Sequence, residues 1–141
     1  MPIVITLADY WMGRDRQYPA DMTPKIAENA AAWVVNANAL LVRIEAAKVP
    51  LVKHANGTML SSGWRPPALN AKTPGASKTS FHMTGQAGDL FDPDGKIDAW
   101  CMANLEELAR CNMWLEHPKD TPRWSHWQSH PPKSWNRVFG A

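Results

Sequence analysis

The chain has few cysteines, little net charge and no long apolar run, and each shortage removes a class of function. Two of the 141 residues are cysteine, Cys101 and Cys111. Neither belongs to a Cys-x-x-Cys pair, which argues against a structural zinc held on sulfur. On one helix they would stand about 15 Å apart, beyond disulfide reach. Free, buried thiols and a reducing compartment are therefore expected. The formal net charge of +2 is too small to suggest a nucleic-acid partner. No segment reaches the ~20 continuous apolar residues of a membrane span. The first ten residues carry no basic n-region, and Asp9 interrupts their short apolar run, so no secretory signal is expected. There is no internal repeat and no linker long enough to divide the chain. The turn Asp92-Pro-Asp-Gly95 superficially suggests calcium, but the EF-hand spacing and its terminal glutamate are missing.

What is present is a globular composition. Hydrophobic residues make up 45% and charged residues 20%, and a single domain over residues 1–141 can bury a real core. Eight tryptophans are unusual. Core or surface filling is the default for most of them, with a substrate cleft as the use for several.

The coarse order of elements can be read from periodicity and punctuation. Thr23-Pro24 is an N-cap followed by proline at the first helical position. Ile26, Ala30, Trp33, Ala37, Leu41 and Ile44 then recur at helical spacing, up to about Lys48, before Val49-Pro50. His54-Ala-Asn-Gly57 reads as a turn between short strands at Leu51–Lys53 and Thr58–Ser62. Residues 66–79 read as loop. A short strand is expected at Ala87–Phe91, and a second helix from about Ile97 to Arg110. Two more strands are expected near Met113–Glu116 and Trp124–Gln128, and the tail from Pro131 reads as an extended strap. The fold class is α+β, a small antiparallel sheet with helices packed on one face.

The chemistry concentrates in Ser80-Phe-His82-Met-Thr-Gly85-Gln-Ala87-Gly-Asp89, with a second histidine in Trp124-Ser-His126. Two imidazoles and one carboxylate, His82, Asp89 and His126, suffice to hold a catalytic zinc with one position left for water. A straight strand would separate His82 from Asp89 by roughly 23 Å. A helix would leave them about 10 Å apart. The segment must fold back, and Gly85 is the residue type that permits the turn. Ala87 and Gly88 are small enough to let the chain pack beside a metal. The single metal site is expected at the open face of the sheet.

These residues resemble the zinc D-Ala-D-Ala carboxypeptidases and the phage L-alanyl-D-glutamate peptidases, which share a fold with the hedgehog signalling domain. Ser80, His82, Gly85, Ala87 and Asp89 match the first metal motif of that family. Ser62-Gly63-Trp64-Arg65, followed by Pro66 and Asn70, is similar to its arginine motif, and His126 to its last zinc histidine. The likeness covers about residues 58–128. It implies a zinc peptidase acting on an amide of bacterial peptidoglycan, in the stem peptide or a cross-link, with Arg65 as a substrate clamp that also steadies the oxyanion. Ser80 is expected to orient the turn. The alternatives are a zinc-binding module without catalysis, or a virion structural or assembly protein on the same fold.

One departure concerns the general base. Many of these peptidases carry a glutamate three residues before the last histidine, where this chain has Arg123. Hedgehog-like members place an acid six residues before it, at Asp120. Glu116 lies on a strand expected to pair with that of His126, which makes it the preferred base, with Asp120 the alternative and His117 a candidate proton shuttle. His54, His117 and His130 are otherwise expected in turns or on the surface. A monomer is expected, reaching the cell wall after release or as part of a virion.

Overall fold

The computed structural model describes residues 3–140. The chain opens with α1 (Leu7–Trp11), closed at its start by a capping box in which Thr6 and Asp9 satisfy each other's backbone N–H groups. Met12 and Gly13, both at positive φ, reverse the chain into α2 (Arg14–Gln17). The long helix α3 (Pro24–Ala46) starts where its sequence asks. Thr23 Oγ1 accepts from the N–H of Ile26 at 3.1 Å, and Pro24 occupies the first turn, where a missing N–H costs nothing. Ala30, Trp33, Ala37, Leu40, Leu41 and Ile44 form its fully buried stripe.

Five strands follow: β1 (Leu60–Ser62), β2 (Ala87–Phe91), β3 (Trp114–Glu116), β4 (Trp124–Gln128) and β5 (Val138–Phe139). They form one sheet in the order β1-β2-β4-β3-β5. The expected antiparallel sheet needs correcting, because β5 runs parallel to β3. The tail returns along the outside of β3 in the same direction as that strand, so the sheet is mixed within an α+β fold.

Smaller expectations also change. Leu51–Lys53 is not a strand, although the turn after it forms, with His54 N–H donating to the Thr58 carbonyl. Part of residues 66–79 is helical, α4 (Pro67–Lys72), again begun by prolines. The single helix expected over 97–110 is two, α5 (Lys96–Ala103) and α6 (Leu105–Arg110), broken at Asn104. Asp92 spends its two oxygens on the N–H groups of Ile97 and Asp98 at the start of α5, which gives the Asp92–Gly95 turn a capping role. Cys101 and Cys111 are free and buried.

One face of the sheet carries the core. Trp33 of α3 lies against Gly88 so closely that a Cβ there would meet its ring at 2.4 Å, and its indole N–H donates to the Trp127 carbonyl at 3.0 Å. Gly88 is therefore small for Trp33, on the core side, rather than for a metal. Ile97, Cys101 and Leu108 of α5 and α6 join the same buried cluster. Because strand side chains alternate, Asp89, His126 and Glu116 are left for the opposite, open face. Among the described residues, no helix is long and apolar enough to cross a membrane.

Candidate metal centre and its cleft

Asp89 and His126 are directly opposed across the antiparallel pair β2–β4, so their side chains leave the same face of the sheet. His82 comes from the turn before β2. Gly85, at φ +77°, makes that turn, and a Cβ there would also meet the Ile26 carbonyl at 2.8 Å. Three hydrogen bonds fix the loop: Arg65 N–H to the His82 carbonyl, His82 N–H to Ser80 Oγ, and the Trp64 indole N–H to the Met83 carbonyl. One ligand atom from each of His82, Asp89 and His126 lies within 4.8 Å of the others, and the trio could hold a metal ion.

The protonation pattern of the trio fits a cation. His82 Nδ1 is 2.7 Å from the Gly63 carbonyl, which only accepts, so Nδ1 carries the hydrogen and Nε2 presents a lone pair. That lone pair points at Asp89 Oδ2, 3.2 Å away. The second imidazole is set by Gln128. The Gln128 amide nitrogen donates to the His130 carbonyl at 2.8 Å, which turns Oε1 towards His126 Nε2 at 3.0 Å. Nε2 of His126 is therefore the donor, and its bare Nδ1 faces Asp89 Oδ1 at 2.8 Å. Two lone pairs converge on the two oxygens of one carboxylate, and only a proton or a metal ion relieves that arrangement. Outer partners that fix imidazole tautomers in this way are the usual support of a metal site.

The titration behaviour has the same origin. Burial lowers the His82 pKa and outweighs the attraction of Asp89. Burial also opposes charge on His126, but in the metal-free protein a proton on Nδ1 would be donated to Asp89, and that bond prevails and lifts its pKa above the ordinary imidazole value. Burial pushes Asp89 up, and the two imidazoles pull it well below the usual carboxylate range.

The trio opens on a cleft of about 860 Å³. Glu116, brought in by the pairing of β3 with β4, places Oε1 3.9 Å from His126 Nδ1. Its pKa is raised, by burial first and then by Asp89 and Asp120, against the pull of His126. Asp120 lines the same cleft, as do Arg65 and Ser80, whose hydroxyl lies 3.4 Å from the Arg65 guanidinium. Arg65 Nε is buried without a hydrogen-bond partner. His117 does not line the cleft; its Nδ1 accepts from the Lys119 N–H. His54 packs edge-on against Phe91, and the exposed His130 stacks on Phe81. Arg123 is exposed, at φ +75°. Of the tryptophans, Trp33, Trp64 and Trp127 are fully buried, while Trp124 lines the cleft.

Sequence reasoning missed three contributors. Gln128 lies two residues after His126, on the same face of a strand, and that spacing was the available signal. The Gly63 carbonyl and Arg14 had no comparable signal. Arg14 reaches the cleft from the N-terminal segment and donates to the Trp64 carbonyl at 2.8 Å.

Comparison with protein-family models, with curated proteins and with solved structures finds no match to this chain.

Proposed function

We propose that the protein is a zinc-dependent peptidase that hydrolyses an amide bond in the peptide portion of bacterial peptidoglycan. The observation that carries this reading is the pair of tautomer-fixed imidazoles on one carboxylate, with a second, raised-pKa carboxylate 3.9 Å from one of them in an open cleft. The likeness of residues 58–128 to the peptidoglycan peptidases supplies the substrate class. His82, Asp89 and His126 are the metal ligands, and two nitrogens with one carboxylate suit zinc. A zinc ion there supplies Lewis acidity towards a carbonyl and lowers the pKa of water.

The chain's own groups do the rest. Glu116 takes the proton from the attacking water, a task favoured by a pKa raised towards the working pH. Arg65, with donors to spare, steadies the negative charge that develops on the carbonyl oxygen. Glu116 then returns the proton to the departing amine, and Asp120 helps hold the pKa of Glu116 up.

The test is zinc content and release of new amino termini from cell-wall material, on one preparation, for wild type, His82→Ala and Glu116→Gln. The expected result is one zinc per chain in wild type and in Glu116→Gln, turnover in wild type alone, and neither in His82→Ala. Zinc without turnover in wild type would reassign the protein as a binding module. No zinc would remove the metal from the reading.

A further inference from the structure

The cleft is electrically polarised. Contacts run in sequence from Arg65 to His82 through the backbone, from His82 to Asp89, from Asp89 to His126, and from His126 to Glu116. One end is therefore cationic and the other acidic, with the metal trio between them. At the cationic end Arg65 is not alone, because Arg14 lines the same cleft and is tied to the carbonyl of Trp64, the residue before Arg65.

The fold holds Arg14 there deliberately. Trp64 N–H donates to the Tyr10 carbonyl, and Gly63 passes so close to that carbonyl that a Cβ would lie 2.1 Å from it. The left-handed pair Met12–Gly13 then redirects the chain so that Arg14 follows at the start of α2. Both guanidiniums are half-buried, yet neither forms an ion pair among the described residues. Arg14 spends one N–H on Trp64 and a guanidinium has five. Burial lowers the Arg14 pKa, and the charge on Arg65 lowers it further. Asp89 attracts Arg65 across the cleft, but no carboxylate of the described residues pairs directly with either guanidinium. Two neighbouring, partly desolvated cations in that state are a costly arrangement that a bound carboxylate relieves.

We propose that Arg14 and Arg65 together form a carboxylate subsite, so that the substrate is a peptide with a free carboxylate beside the scissile amide, and Arg14 sets that specificity. The inference rests on the peptidase reading for its site of action. Two sources share the chemistry: the terminal carboxylate of a D-Ala-D-Ala end, and the α-carboxylate of a γ-linked D-glutamate.

The experiment compares kcat/KM for two peptide pairs: acetyl-D-Ala-D-Ala with its C-terminal amide, and an L-Ala-γ-D-Glu peptide with its isoglutamine counterpart. Wild type should favour the free acid of one pair by about 10- to 100-fold, the scale of a charge-assisted hydrogen bond, with the difference mainly in KM. That pair identifies the source. Arg14→Gln should bring the acid-to-amide ratio towards one, and Arg14→Lys should restore part of it. A ratio taken within one preparation is insensitive to the folded fraction. A wild-type ratio near one for both pairs, or a ratio unchanged in Arg14→Gln, overturns the proposal. If neither peptide is cut, release of amino termini from cell-wall material decides the peptidase reading, and calorimetric binding of the same free acids to the zinc-loaded protein decides the subsite. Weaker binding in Arg14→Gln than in wild type upholds it, and equal binding overturns it.

Discussion

Gln128 offers the sharpest check on the metal centre, because it touches no ligand lone pair and works only through His126. Its side chain is buried and makes two bonds, accepting from His126 Nε2 and donating to the His130 carbonyl. Gln128→Leu keeps the bulk and removes both. His126 Nε2–H then loses its acceptor, the imidazole is free to change tautomer, and Nδ1 no longer presents a fixed lone pair beside Asp89. Losing a partner of this kind typically weakens metal binding 10- to 100-fold, which is about 1.4–2.8 kcal/mol. Gln128→Glu keeps an acceptor for Nε2–H and should bind zinc within about threefold of wild type or more tightly, since a carboxylate accepts at least as well as an amide. Competition with a chromogenic chelator measures all three affinities, and melting of the metal-free proteins controls for folding. If Gln128→Leu bound zinc as tightly as wild type, the tautomer argument would be refuted, and with it the claim that His126 uses Nδ1.

Other expectations can be tested with the same preparations. The rate should fall on the acid side as Glu116 becomes protonated, with the midpoint above the ordinary glutamate pKa because burial raises it. Glu116→Gln should lose about 10²- to 10⁴-fold in kcat together with that acid limb, as a pH–rate profile would show. In metal-free protein the depressed Asp89 pKa contributes stability that is complete above the unfolded value near 3.9. That contribution drains as pH falls from there towards the folded value, so denaturant midpoints should decline below about pH 4, and the Asp89→Asn variant should decline less. Zinc at about 1,000 times its Kd should add roughly 4 kcal/mol, seen as a melting point higher by roughly 10 °C for a domain of this size. Gly88→Ala drives a methyl group into Trp33 and should cost about 1–3 kcal/mol, measured by chemical denaturation.

How far the sequence can be read depends on how local the deciding forces are. The helix α3 was legible because its cap, its proline and its apolar stripe all lie within one segment. Strands β2 and β4 were legible for a similar reason, and their pairing puts Asp89 opposite His126. The start of α4 lies in the segment 66–79 that reads as loop, because Pro66-Pro67 carries two opposite signals: proline interrupts regular structure, yet in the first turn it also begins a helix. The break at Asn104 is a competition within the chain, since its side-chain amide donates to the Trp100 carbonyl in place of continuing the helix. The parallel return of β5 had no local signature. It is held by long-range bonds such as Leu115 N–H to the Arg137 carbonyl, and by Arg137 lying over the Trp114 ring. Arg14 is of the same kind, because its place in the cleft depends on Tyr10 meeting Gly63, more than fifty residues away.

The opposition of Asp89 and His126 ties metal loading to strand alignment. Displacing β4 by one residue against β2 would send every side chain of β4 to the other face. It would remove His126 from the trio and drive Trp127 out of the core. A chain misaligned in this way has no third ligand, so if the trio holds zinc as proposed, the zinc retained per chain after refolding counts the molecules that found the correct alignment. A metal assay then serves as a folding assay that reports on one pair of strands.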